Sequence, residues 1–166
     1  MSKAHIVVGM TDTGKSYYIK DKLRKIPNKE SLYIFDYQKE YNPEFIQYGL
    51  IPFEDFAYNC TLLWNAVIIF EEASIFLGGH MSNTDKYVND VLVSKKHRKN
   101  FVFLVFHSVA EIPPYVYRKC NFITLFKTND LPDMSARELR DRRIKEYMDR
   151  VQASNDLHYH ETMKIL

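Results

Sequence analysis

Eight consecutive residues, Gly9-Met10-Thr11-Asp12-Thr13-Gly14-Lys15-Ser16, follow the order G-x-x-x-x-G-K-[ST]. That order suits the binding of a polyphosphate. Backbone N–H groups turn inward around an anion, glycine is needed where a side chain would collide, and the N-terminus of a following helix adds favourable potential. Lys15 is placed to hold the terminal phosphates and Ser16 a Mg²⁺ ion. Gly9, Thr11, Asp12, Thr13, Gly14, Lys15, Ser16 and Tyr17 are therefore the expected nucleotide contacts. An ordinary glycine turn is the alternative, but chance produces the full pattern in well under about 1% of chains this long.

A second constellation is the apolar run Ala66-Val67-Ile68-Ile69-Phe70 ending in Glu71-Glu72. In phosphate-binding enzymes of this kind, one acid at such a strand tip holds the metal's water shell and the next polarises the attacking water. Glu71 is accordingly the expected metal-side acid and Glu72 the expected catalytic base. Taken alone, a buried strand ending in an acid is common; its distance of about 60 residues from the phosphate loop gives it weight.

These residues need a scaffold that brings strand ends together. Short runs rich in Val, Ile and Phe alternate with longer amphipathic stretches, which is the pattern of an α/β domain with a mostly parallel sheet. Strands are expected at Ala4–Val8, Ser31–Asp36, Ala66–Glu71, Phe101–Phe106 and Phe122–Phe126, each apolar on both faces. Helices are expected at Lys15–Ile26, stopped by Pro27, and at Pro43–Gln47, Phe53–Ala57 and Thr84–Lys96. After the turn at Leu131-Pro132-Asp133, a charged helix is expected over Ser135–Val151, with Leu139, Ile144, Met148 and Val151 as its core stripe. Residues 153–166 show no assignable pattern.

The order of these motifs resembles the FtsK/HerA superfamily of DNA-pumping ATPases, in particular the small viral genome-packaging ATPases. The residues that carry the resemblance are the phosphate loop, Asp36-Tyr37-Gln38-Lys39-Glu40-Tyr41 after the second strand, Glu71-Glu72, Arg98 before the fourth strand and His107 at its end. The family usually has Asp where Glu71 stands and Gln where His107 stands. The resemblance implies a P-loop NTPase of the RecA/ASCE type, a three-layer α/β sandwich, with residues 4–130 as ATPase core and 131–166 as a C-terminal helical extension. It further implies ATP and Mg²⁺ as ligands, His107 as a sensor, a homo-oligomeric ring, and an arginine supplied by a neighbouring subunit. Arg98 is the expected finger and Arg118 its rival. Lys95, Lys96 and Lys99 are candidates for sequence-nonspecific DNA-phosphate contact, the plainer reading being a solvated face. Asp36 and Glu40 read most simply as strand-end and helix-start acids.

Composition constrains the rest. The chain has 166 residues, 46% of them hydrophobic, enough for one core without disulfides or structural metal. Two cysteines, Cys60 and Cys120, are too few and too far apart for a zinc site or disulfide framework, and are expected to be buried thiols. Twenty-three Lys and Arg against 21 Asp and Glu leave a net charge of +2, so any basic surface must be local. No apolar run approaches the ~20 residues of a membrane-spanning helix, and the N-terminus lacks a signal-peptide pattern. Host cytoplasm is the expected location, with virion association through a capsid or portal vertex protein. Two other functions share the phosphate loop. One is a small nucleoside or nucleotide kinase with Arg137, Arg140, Arg142 and Arg143 as a lid; the other is a Zot-like phage assembly ATPase. Guanine specificity is disfavoured, because Thr128-Asn129-Asp130 lacks the lysine of N-K-x-D.

Overall fold

The structure is a computed structural model that describes residues 2–25, 32–41, 51–78, 82–130 and 142–165. Six strands form one sheet: β1 (Ala4–Val8), β2 (Leu32–Phe35), β3 (Val67–Phe70), β4 (Phe101–Phe106), β5 (Phe122–Leu125) and β6 (Glu161–Lys164). Their spatial order is β2-β3-β4-β1-β5-β6. The first five pair in parallel, and β6 alone runs antiparallel, Met163 opposite Ile123. All five strands expected from the sequence are present, each within a residue of its expected ends, because a continuous apolar run bounded by polar residues is what a strand covered on both faces requires. β6 lies where the sequence shows no pattern. Only Met163 of its four residues is fully buried, so it carries too little apolar periodicity to announce itself.

Alternate residues of the strands feed two cores. Ile6, Val8, Ile68, Phe70, Leu104, Phe106 and Leu125 point to one side. There they meet α2 (Phe53–Cys60), α4 (Asn83–Ser94), α5 (Pro114–Lys119) and α6 (Arg142–Ala153). Val7, Ile34, Ile69, Phe103 and Val105 point to the other, against Ile19 and Leu23 of α1 (Lys15–Arg24). The result is the expected three-layer α/β arrangement. In α6, Ile144, Met148 and Val151 form the buried stripe as expected; Leu139 and the first part of that helix lie outside the described residues, as does the expected helix at Pro43–Gln47. Short helical pieces that the sequence does not announce are α3 (Ala73–Phe76), the 3₁₀ turn Val109–Glu111 and α5. Cys60 and Cys120 are free and buried.

Parallel pairing puts the carboxyl ends of β1, β3 and β4 on one edge. Val8 lies beside Phe106, and Phe70 beside Leu104. The phosphate loop leaves β1 at that edge, the acid pair leaves β3, and His107 follows β4. A crevice outside the carboxyl ends of such a sheet is where open α/β proteins bind ligands.

Candidate functional site

Local geometry explains the glycines of the phosphate loop. A Cβ on Gly9 would stand 2.5 Å from Phe126 Cβ and 2.9 Å from Thr13 Oγ1, so no side chain fits there. Gly14 has φ +95°, in the left-handed region that glycine enters without steric cost, and Asp12 is also left-handed at φ 64°. These turns fold the loop back so that α1 begins at Lys15, its N-terminus facing the crevice. The loop is tied to the sheet on both sides. Gly9 N donates to Phe106 O at 3.1 Å and Met10 N to Lys127 O at 2.8 Å. Within it, Thr13 Oγ1 and Lys15 Nζ both donate to Met10 O, at 2.8 and 2.9 Å.

Around the loop is a cleft of about 270 Å³ that gathers Thr11, Asp12, Gly14, Lys15, Ser16 and Tyr17 with Gln38, Glu40, Glu71, Glu72 and His107. Lys15 is the only Lys or Arg among these lining residues. Its ammonium is held below the usual lysine range by burial, against the opposing pull of Glu71, Glu40, Glu72 and Asp12. Glu71 is buried, and burial pushes its carboxyl up to about 8. The neighbouring Glu40 and Glu72 add to that rise, while the Tyr41 hydroxyl and Lys15 oppose it. Glu72 is the residue before α3 and sits at φ 54°, a left-handed conformation that is uncommon for a non-glycine residue. Its carboxylate lies 2.6 Å from His107 Nε2. Ser74 supports that pairing from the next turn, its Oγ accepting from His107 N at 2.9 Å.

The segment after β2 does more than end a strand. Asp36 Oδ1 and Oδ2 accept from Glu40 N and Tyr41 N, both at 2.8 Å, and so close a tight turn. That turn carries Glu40 to Ser16, whose hydroxyl donates to the Glu40 carboxylate, and the buried Tyr41 to Glu71, its phenol donating to the carboxyl. Asp36 is the strand-end acid that the sequence indicates, whereas Glu40 reaches the phosphate loop, a role its position does not reveal. The D-x-x-x-E-Y spacing was the signal available.

The basic candidates lie elsewhere. Arg98 stands just before β4, its carbonyl accepting from Asn65 N at 2.8 Å and its guanidinium 5.2 Å from the Trp64 ring centroid. At ~3.3 Å per residue, the six residues of β4 separate it from His107 by roughly 20 Å. Arg118 is exposed at the end of α5, ahead of β5, on that same far edge. Neither lines the cleft of its own chain. Lys96 and Lys99 are exposed, while Lys95 is half-buried with its Nζ donating to Leu92 O and Lys119 O at 3.0 and 2.8 Å. Among the described residues no helix is long and apolar enough to cross a membrane.

No family model matches the chain, and no curated protein matches it in sequence. Solved structures do. The genome packaging NTPase B204 from Sulfolobus turreted icosahedral virus 2, in complex with ATP-gammaS, superposes with a TM-score of 0.77 at 19% identity, over 99% of this chain and 92% of that one. Its complex with AMPPCP gives 0.73 at 17% identity over 99% and 93%. B204, the DNA-packaging ATPase from Sulfolobus Turreted Icosahedral Virus, gives 0.73 at 18% identity over 98% and 92%. At such identities the likeness is one of fold, and over nearly its full length the chain has the P-loop NTPase fold of these viral packaging ATPases, as the order of its motifs leads one to expect.

Proposed function

We propose that the chain is a Mg²⁺-dependent ATPase that works as a homo-oligomeric ring and moves DNA, without reading its sequence, into a viral capsid. The observation that carries this reading is the meeting of Lys15, Ser16, Glu71 and the Glu72–His107 pair in one cleft, on the fold of a protein described as a genome packaging NTPase.

The cleft suits a hard divalent cation. The Ser16 hydroxyl and the Glu71 carboxyl are oxygen donors of the type Mg²⁺ selects, and the crowding of Glu40, Glu71 and Glu72 is relieved by positive charge. Bound there by Ser16 and Glu71, Mg²⁺ would neutralise charge on the β- and γ-phosphates. Lys15 exchanges the Met10 carbonyl for those phosphates. Glu72 accepts a proton from the attacking water, and His107 fixes the orientation of that carboxylate. Among the described residues no arginine lines the single-chain cleft to meet charge developing on the γ-phosphate, which favours one supplied by a neighbour. Arg98, with Arg118 as rival, fills that role in a closed ring. Lys96 and Lys99 face DNA phosphates, while Lys95, expected from the sequence to join them, donates from its ammonium to Leu92 O and Lys119 O; the ring docks on a capsid or portal vertex protein.

The test is ATP hydrolysis with and without DNA, run beside native mass measurement. DNA-stimulated turnover by an oligomer is expected. Turnover stimulated by a small phosphate acceptor instead of DNA would make the protein a kinase.

A further inference from the structure

On the face of the sheet that α1 packs against, a groove of about 440 Å³ lies open at the amino ends of β1, β4 and β5. Cross-strand pairing builds its floor. His5 stands opposite Phe103 of β4 and opposite Phe122 of β5, so the three rings form a row. His5 stacks on Phe103 with centroids 5.6 Å apart and planes 23° from parallel, and meets Phe122 at 5.7 Å. Phe101 extends the row, 5.0 Å from Phe103. Hydroxyl groups pin its middle: His5 Nε2 and Thr162 Oγ1 each lie 2.7 Å from Thr124 Oγ1, which donates to the Tyr18 hydroxyl at 3.2 Å. Burial, with Lys22 and Lys3 adding to it, pushes the His5 pKa down to about 4, so at neutral pH that ring is uncharged. Phe101, Phe122 and Tyr18 are half-buried, and part of each ring faces the groove. Two ammonium groups flank them. Lys3 Nζ stands 4.8 Å over the Phe122 ring and Lys22 Nζ 5.0 Å over the Tyr18 ring, and among the described residues no Asp or Glu lines the groove.

We propose that this groove binds single-stranded DNA, its unpaired bases stacking on the rings of Phe101, Phe122 and Tyr18 and its phosphates meeting Lys3 and Lys22. The inference deepens the DNA-moving reading, naming the strand form that this face grips, and rests on it. Charge selects the occupant. Aromatic faces with ammonium groups beside them match a chain in which bases and phosphates alternate, whereas an apolar partner would bury both ammonium groups without a counter-charge. Access selects the strand form, since a duplex keeps its base faces stacked inside and leaves only phosphates for the two lysines. The groove is also continuous with the edge that carries Lys96 and Lys99, because Phe101 follows Lys99 by two residues. It shares no lining residue with the nucleotide cleft, so both can be filled at once.

Fluorescence anisotropy on the full chain, with Mg²⁺ and ADP filling the nucleotide cleft, compares a labelled oligothymidylate with a duplex of equal length. The single strand should bind roughly ten- to a hundredfold more tightly, the range expected of a stacked base. Phe122→Ala should remove most of that margin with duplex affinity unchanged, and Phe122→Tyr, which keeps the ring, should restore it. Lys3→Ala and Lys22→Ala should each lower the slope of log single-strand affinity against log salt by about 0.7. Equal affinity for the two forms in the wild type, or an intact margin in both Phe122→Ala and Phe101→Ala, overturns the single-strand site and leaves duplex binding by Lys96 and Lys99 standing. An intact margin together with a fall in the native mass of Phe122→Ala assigns the face to a second copy of the chain and likewise overturns the site. Failure of both DNA forms to bind overturns the DNA-moving reading and this site with it.

Discussion

His107 Nε2 and Glu72 Oε2 lie 2.6 Å apart, joining the tips of β4 and β3 across 35 residues of sequence. The carboxylate that the acid-pair reading makes the catalytic base is thus aimed by the residue that the family resemblance makes a sensor. The pairing keeps Glu72 in a strained left-handed turn directed into the cleft. Glu72→Gln should keep nucleotide bound and stop hydrolysis, since the amide preserves size but accepts no proton from water. Glu71→Gln should instead shift the Mg²⁺ dependence of turnover to higher concentration. Steady-state rates over a Mg²⁺ titration distinguish the two; exchanged phenotypes would exchange the two roles.

Lys15→Ala should abolish nucleotide binding in a folded protein. Among the described residues Lys15 is the sole Lys or Arg lining the cleft, and its four lining acids, Asp12, Glu40, Glu71 and Glu72, would then face the phosphates without it. Calorimetry with ADP beside a thermal unfolding scan checks this, and unchanged affinity would defeat it.

The stability that Glu71 contributes to the nucleotide-free protein should fall as pH rises from about 4.5 to about 8, most visibly above about 6.5, where the opposing titration of the buried His5 is complete. Glu71 binds its proton more tightly folded than unfolded, because burial penalises the carboxylate, so across that window the folded state holds more protons. The contribution is fully present below the unfolded value and is lost as pH passes the folded one. Glu71→Gln should flatten this slope. Tyr41→Phe, which removes the phenol that favours the ionised form, should extend the decline to higher pH. Urea unfolding midpoints at a series of pH values measure all three proteins.

The three lysines near the end of α4 should separate. Lys96→Ala and Lys99→Ala should each lower the slope of log affinity for DNA against log salt by roughly 0.7 to 0.9. Lys95→Ala should instead destabilise the fold by about 1–3 kcal/mol, because its ammonium satisfies two carbonyls at the α4–α5 junction. Salt titrations and unfolding curves on the single mutants provide the check. Identical salt slopes throughout would return Lys96 and Lys99 to a solvated face.

Arg98→Ala should reduce turnover by about 10³- to 10⁵-fold with nucleotide affinity almost intact, the range seen for arginine fingers in P-loop enzymes. Mixing Arg98→Ala with Glu72→Gln subunits, each inactive alone, should restore activity. A mixed ring contains interfaces that pair an intact Arg98 with an intact Glu72. Restoration by Arg118→Ala in place of Arg98→Ala would transfer the role to Arg118. The same experiment on Trp64→Ala asks whether the ring stacked on Arg98 positions it; loss of turnover without loss of assembly is the expected result.

What the sequence determined by itself is local. The phosphate loop is eight adjacent residues whose glycines, lysine and serine answer to one another over a few ångströms, so Gly9, Gly14, Lys15 and Ser16 are legible without a fold. The five parallel strands are legible for a similar reason: a strand buried on both faces must be apolar at every position, and VIIF or FVFLVF shows that directly. Tertiary structure alone decided which distant groups meet. Glu40 reaches Ser16 across 24 residues and Tyr41 reaches Glu71 across 30. A polar residue near a strand end carries no local mark of the partner it will find. Arg98 lies on the far edge of the sheet from its own chain's cleft because β4 is parallel to β1, a consequence of strand order that no spacing encodes. β6 and the loop 154–160 were the least legible, since an edge strand with one buried side chain and a loop tied to the core by Lys127 at Ser154 O lack any apolar period; their positions follow from a sheet edge and helix that the rest of the chain had to build first.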